Sequence, residues 1–151
     1  MVDKRELILL RLFEVLKSIP TLNQWVRNRG ELPDEKRPAI IMLDGDEHAS
    51  ETAFNRGRIG ASPNMISLVP EVYISLEARK PDNVNTGEDL SAIRVAILKA
   101  VLTDSVLLSL VGGNGEIRYN GCVTDLARGR NIDGEMGLMF AFVYHFKPSE
   151  L

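Results

Sequence analysis

Apolar and polar residues recur with two different periods along the chain, and the helical period marks an amphipathic helix near the N-terminus. Intervals of three and four residues separate its apolar positions, as one buried helix face requires. These positions are Leu9, Leu12, Phe13 and Leu16. Asp3 and Glu6 have the spacing of a capping box, which predicts the start of the helix, and Pro20 predicts its end.

A second amphipathic helix is predicted to begin at Thr86, which is followed by two acidic residues suited to a helix N-terminus. Its apolar stripe consists of Leu90, Ile93, Ile97, Ala100 and Val101. A short helical turn should follow, capped by Asp104 or Ser105. The glycines of "GGNG" at 112–115 should end that turn.

Other parts of the chain have the dense or alternating apolar pattern of β-strands. They are the segments 21–30, 39–43, 65–78, 116–125 and 134–146. Alternation over 65–78 predicts an antiparallel strand with one buried face, and Pro70 on that face predicts a bend or a position at the sheet edge. Residues 134–146 are apolar on both faces, which predicts a strand in the middle of the sheet.

The order of these elements predicts an α+β domain, in which an antiparallel or mixed β-sheet has two amphipathic helices packed on one face. A length of 151 residues suits a single domain with one core.

The chain has 21 acidic and 18 basic residues, a balance that favours neither duplex nucleic acid nor any sequence-specific nucleic-acid partner. Charged residues interrupt the apolar run near the N-terminus, so no membrane segment is expected. The single cysteine, Cys122, has no partner for an internal disulfide.

Candidate chemistry is concentrated in "DGDEH" at 44–48, directly after the apolar run of 39–43. Its residue types bind divalent cations or serve in acid–base catalysis, namely Asp44, Asp46, Glu47 and His48. The spacing does not fit an EF-hand loop, and Cys122 and His145, which could complete a zinc site, lie on distant predicted strands. Because Asp-Gly is common in turns, we interpret this segment as a strand end that leads into a solvated loop, with no catalytic residue, metal or cofactor.

This loop is predicted to extend from about 44 to 64, which is long for a compact domain. It lacks hydrophobic periodicity, and loops on a rigid sheet often carry contacts with partners, so it is a candidate docking segment. Its candidate contact residues are Glu47, Glu51, Arg56 and Arg58. A second predicted loop adds Arg128 and Arg130 as candidate contacts.

Several segments follow one another in an informative order. They are the N-terminal helix, "RPAIIMLDGDE", "VYISLEA", "EDLSAIRVAILKAVL", "IRYNG" and "GEMGLMFAFVYHF". In this order they resemble the tail terminator, or tail-completion, proteins of long-tailed bacteriophages. The resemblance implies a virion protein without enzymatic activity, which assembles in the host cytoplasm and forms a homo-oligomeric ring, typically a hexamer, in the neck region of the tail.

The resemblance also implies two further partners, the tail-tube protein on which the ring stacks and a head-completion or neck protein. Two alternatives stay open at this point. The chain could be another neck or head-tail connector subunit of related fold, which would differ mainly in its partner. It could also be a small metal-dependent enzyme that uses residues 44–48.

Overall fold

The computed structural model describes residues 3–20, 22–28, 38–50, 64–76, 86–126 and 134–146. These residues form three helices and five strands. The helices are α1 (Lys4–Lys17), α2 (Thr86–Leu102) and α3 (Ser105–Val111). The strands are β1 (Gln24–Arg27), β2 (Ala39–Ser50), β3 (Asn64–Ser75), β4 (Glu116–Leu126) and β5 (Gly134–Phe146).

The strands form one mixed sheet in the order β1-β2-β3-β5-β4. β1 and β2 are parallel, and every other neighbouring pair is antiparallel. The predicted α+β class is confirmed, and β5 lies inside the sheet, as its apolar character on both faces predicted. β3 is the middle strand, so the predicted edge position for Pro70 is wrong.

One face of the sheet, which we call the helix-packed face, supports the hydrophobic core. Alternate strand residues point to it and are buried together with the apolar stripes of all three helices. Its fully buried strand residues are Ile40, Met42, Leu68, Val72, Ile74, Leu138, Phe140 and Phe142. From the helices, Leu9, Leu12, Leu16, Leu90, Ile97, Val101 and Leu107 complete the core. The two predicted helical stripes therefore pack where the sequence periodicity placed them.

The helix caps follow the sequence in part. The Asp3 carboxylate accepts a hydrogen bond from the Arg5 backbone N–H at 3.2 Å, and the Asp104 carboxylate accepts one from Leu107 at 2.9 Å. Asp104 is thus the cap of α3, and Gly112 ends that helix. Glu6 bonds to Arg27 of β1 instead of completing the predicted capping box.

The predicted turn at Asp44 and Gly45 is wrong, because β2 continues through it to Ser50. The pairing with β3 shifts between Leu43 and Asp46, which places Asp44 and Gly45 together opposite Pro70. This is a β-bulge with glycine at a positive φ of 73°. Pro70 has no N–H for the ladder, and a bulge on the neighbouring strand is one of the few places where a proline fits inside a sheet.

The bulge has two consequences for the predictions. Even-numbered residues of β2 face the helices before the bulge, whereas odd-numbered residues do so after it, as the pairings of Met42 with Val72 and of Glu47 with Leu68 show. The predicted 44–64 loop is also corrected, since 44–50 belongs to β2 and β3 begins at Asn64. Residues 51–63 lie outside the described part of the chain.

β4 also has a register shift with a glycine at a positive φ. The shift lies between Tyr119 and Gly121, and Gly121 has a φ of 121°. Tyr119 pairs with Phe140 before the shift and Cys122 pairs with Leu138 after it, so the inward-facing parity changes here too.

Within the described ranges, none of the helices has both the length and the apolar character that a membrane crossing requires.

Candidate functional site

The structure gives the residues of "DGDEH" different contacts and divides them between the two faces of the sheet. Asp44 binds Arg27, whereas Glu47 pairs across the sheet with Leu68 and accepts a hydrogen bond from a buried tyrosine. Asp46 and His48 pair with Val69 and Ser67 and so lie on the opposite face from Glu47. In the part of the chain that the structure describes, no group of three or more His, Cys, Asp and Glu side chains is placed to hold a metal ion.

Arg27 is held between two carboxylates that belong to different elements. Its guanidinium forms two hydrogen bonds with Glu6 of α1 and two with Asp44 of β2, at 2.7 to 3.0 Å. Hydrogen bonds from Arg27 lower the pKa of both Glu6 and Asp44, and the two carboxylates together raise the pKa of Arg27. The Asn28 side-chain oxygen also accepts a hydrogen bond from the Asp44 backbone N–H at 3.0 Å. The cluster fixes α1 and β1 to the start of the bulge, which is a structural role.

Glu47, the first of the predicted partner-contact residues, also has an internal partner. The hydroxyl of Tyr144 donates a hydrogen bond to Glu47 Oε1 at 2.9 Å. Tyr144 is only 2% exposed, and burial together with this bond raises its pKa above the ordinary tyrosine value. Glu47 itself is exposed, so the bond is made at the rim of the core.

The other predicted contact residues belong to two segments outside the described part of the chain. Residues Glu51, Arg56 and Arg58 lie in 51–63, and Arg128 and Arg130 lie in 127–133, all outside the described residues.

The face of the sheet opposite the helices, which we call the second face, carries two adjoining depressions. The larger has a volume of about 460 Å³ and lies beside the β2 bulge. Its lining includes Leu43, Asp46, His48, Val69 and Glu71. The smaller, of about 290 Å³, lies over β3, β5 and β4, and it also includes Glu71.

The smaller depression is formed by one row of residues across the sheet. Tyr73 on β3 pairs with Gly137 on β5, which in turn pairs with Val123 on β4. Gly137 has no side chain to fill the middle of the row, and the Tyr73 ring lies against it, since a Cβ on Gly137 would be 2.9 Å from Tyr73 Cε1. The glycine therefore creates the depression and the tyrosine forms its wall.

Two carboxylates and a thioether complete this depression. The Tyr73 hydroxyl donates a hydrogen bond to Glu71 Oε2 at 2.9 Å. That bond, followed by burial and by the negative charges of Glu71 and Glu135, raises the pKa of Tyr73. Met139 on β5 pairs with Glu71 and contributes apolar surface, and Glu135 lies four residues before it on the same strand. The arrangement is a concave site with an aromatic wall, an apolar base and an acidic rim.

The sequence did not identify these residues as a site. Alternation along 65–78 correctly placed Glu71 and Tyr73 on the polar side of β3. Their proximity to Glu135 and Gly137 depends on the register between β3 and β5, which pairs residues more than sixty positions apart. No local motif carries that information.

A third cluster joins α2 to the edge strand β4. Arg94 donates a hydrogen bond to the Tyr119 hydroxyl at 3.1 Å, and its guanidinium lies 5.3 Å from the centre of the same ring. Burial raises the pKa of Tyr119. Cys122 follows on the same strand as an exposed free thiol. The contacts of Arg94 fasten the helix to the strand.

Comparison with known proteins adds no family assignment. No protein-family model matches the sequence, and no curated protein matches it significantly.

Proposed function

We propose that this chain is a structural assembly subunit of the tail-terminator type, which forms a homo-oligomeric ring that caps a phage tail tube and joins it to the head. The single observation that carries the proposal is the edge strand β4. It is eleven residues long and is paired only with β5 among the described strands. Val123 near its end is 62% exposed, and a long unpaired sheet edge is an aggregation hazard unless an assembly uses it.

The helices add apolar surface of the same kind. Large aliphatic side chains project from all three of them and are 37% to 55% exposed, namely Leu7, Leu10, Val95, Val106 and Leu108. Closed rings are built from two different surfaces of the same subunit, and an exposed sheet edge together with an apolar helical surface could meet that need. The tail-tube and head-completion or neck proteins remain proposed partners on the strength of the resemblance.

The alternatives differ in how much support they have. Another neck or head-tail connector subunit would use the same edge and helical surface with a different partner. The metal-dependent enzyme gains little support, because Asp44 and Glu47 are engaged by Arg27 and Tyr144, and Glu47 faces away from Asp46 and His48.

The proposal is tested by native mass spectrometry and negative-stain electron microscopy of the purified chain, alone and mixed with tail tubes from the same source. We expect rings, or caps at one end of the tubes. The variant Val123→Glu places a charge on the β4 edge and should abolish them. Ser91→Glu, which adds the same charge at an exposed position of α2, is the matched control and should leave them intact. Monomers alone at high concentration, with bare tubes, would refute the proposal.

A further inference from the structure

The smaller depression on the second face has the chemistry of a cation-binding site. Its carboxylates, Glu71 and Glu135, stand on neighbouring strands at opposite ends of an apolar base made by Met139 and Gly137. The Tyr73 ring forms one wall, and aromatic faces attract ammonium and guanidinium groups. A long basic side chain has an apolar stem and a charged head, and therefore suits this combination.

The charge of the depression is not compensated by the surrounding described residues. None of its described lining residues is basic, and no described arginine or lysine lies within ion-pair distance of Glu71 or Glu135. The Tyr73 hydroxyl that donates a hydrogen bond to Glu71 carries no charge, so it does not neutralise the carboxylate. The rim therefore presents two negative charges above apolar surface.

The adjoining depression extends this character along the face. The two share Glu71, and the larger one adds Asp46 and His48 above Leu43 and Val69. Within the described part of the chain, its lining also includes no lysine or arginine. The two depressions together form an acidic groove with an apolar floor that crosses the sheet from β2 to β4.

We infer that this groove binds a basic segment of another protein, with a lysine or arginine side chain inserted between Glu71, Tyr73 and Glu135. Charge complementarity selects the partner. The same face of a second copy is disfavoured because a symmetric contact would bring carboxylates against carboxylates. The inference does not depend on ring formation, since the described residues that line the groove all belong to one chain.

The test uses the full chain and two synthetic peptides, acetyl-Arg-Val-Arg-amide and the uncharged acetyl-Gln-Val-Gln-amide. Binding is followed by NMR at the Met139 methyl group, the Gly137 amide and the Tyr73 ring. We expect saturable shifts at these three positions with the arginine peptide only, and weaker binding at high salt. Glu71→Gln and Glu135→Gln should each weaken binding by about two- to fivefold, as loss of one partly exposed ion pair does.

The matched control is Glu88→Gln, which removes an exposed carboxylate from α2 on the other side of the sheet. It should bind the arginine peptide like the unsubstituted chain. Equal shifts with the glutamine peptide, or binding that neither groove substitution weakens, would overturn the inference. Shifts at Met139 that grow with protein concentration in the absence of peptide, in samples in which native mass spectrometry detects no ring, would show a second copy as the occupant and would also overturn it. Native mass spectrometry of the same samples reports ring formation separately, so the two proposals can fail independently.

Discussion

The two faces of the sheet share the same strands but differ in what fixes their residues. On the helix-packed face, Phe140, Phe142 and Leu68 are fully buried against helices, so burial determines the residue type. On the second face, apolar residues such as Met139 are interrupted by Glu71 and Glu135 and lie under depressions instead of helices. The difference teaches that hydrophobic periodicity specifies the first face, whereas strand register assembles the second. Substitutions can test that contrast.

The largest expected effect contrasts the two faces directly. Phe140→Ala should lower the free energy of unfolding by about 3 to 5 kcal/mol, because it leaves a cavity among residues that cannot collapse fully. Val123→Ala on the second face should change it by less than about 1 kcal/mol, because Val123 is 62% exposed. Urea denaturation followed by circular dichroism measures both. Similar losses for the two variants would mean that the second face is covered in solution.

Most of the fold could be predicted from the sequence, because it depends on local patterns. The stripe from Leu90 to Val101 and the alternation around Pro70 are visible without a structure, and both give the correct element and face. The continuation of β2 past Gly45 was not predictable in this way, since a bulge reverses the inward-facing parity and makes a strand resemble a loop.

The candidate site was predictable only to a small extent. Sequence reasoning selected residues by chemical type within one segment, and the structure divides "DGDEH" between two faces. Glu71, Tyr73 and Glu135 come together through pairing between β3 and β5, and Tyr73 can lie across the sheet only because its cross-strand partner is Gly137. The proximity of these residues can be recognised only when the register between β3 and β5 is known.

The second prediction concerns the bulge that determines which β2 residues reach each face. Gly45→Ala should lower the free energy of unfolding by about 2 kcal/mol or more. The residue has a φ of 73°, and a Cβ would overlap the Val69 carbonyl oxygen. Gly121→Ala, with a positive φ but open space around it, should cost about 1 kcal/mol.

Thermal unfolding of the two bulge variants is compared with that of Gly113→Ala, a position with open space and no positive φ. The control should unfold like the unsubstituted chain. If Gly45→Ala were as stable as this control, the bulge would not be needed to hold Asp46 on the second face and Glu47 on the helix-packed face.

The third prediction tests the ion cluster at the margin of the helix-packed face. Arg27→Met should cost about 1 to 2 kcal/mol at neutral pH, since a charged, partly exposed network is lost. Arg27 lowers the folded-state pKa of Glu6 and Asp44 below their usual values of 4.5 and 3.8. A lowered folded-state pKa gives stability that is present above the usual pKa and is lost as the pH falls through the folded-state value.

The stability difference between the unsubstituted chain and Arg27→Met should therefore shrink as the pH is lowered from 6 towards about 2, a window set by those two carboxylates. Urea denaturation at several pH values measures it. Lys17→Met, which removes an exposed pair with Glu14, serves as the control and should show no such trend. A difference that stays constant down to the lowest pH would exclude the two carboxylates as its source.

The smallest expected effect lies where the helix-packed face meets solvent. Tyr144→Phe removes the hydrogen bond to Glu47 and should cost about 1 kcal/mol at neutral pH, whereas Glu47→Gln keeps an acceptor and should cost less. Burial raises the folded-state pKa of Tyr144, so the stability that its neutral form contributes is present below pH 10 and is lost as the pH rises further. The difference between the unsubstituted chain and Tyr144→Phe should consequently narrow above pH 10, as measured by urea denaturation. A variant as stable as the unsubstituted chain at neutral pH would mean that Glu47 is free for a partner, which would return it to the candidate contact residues.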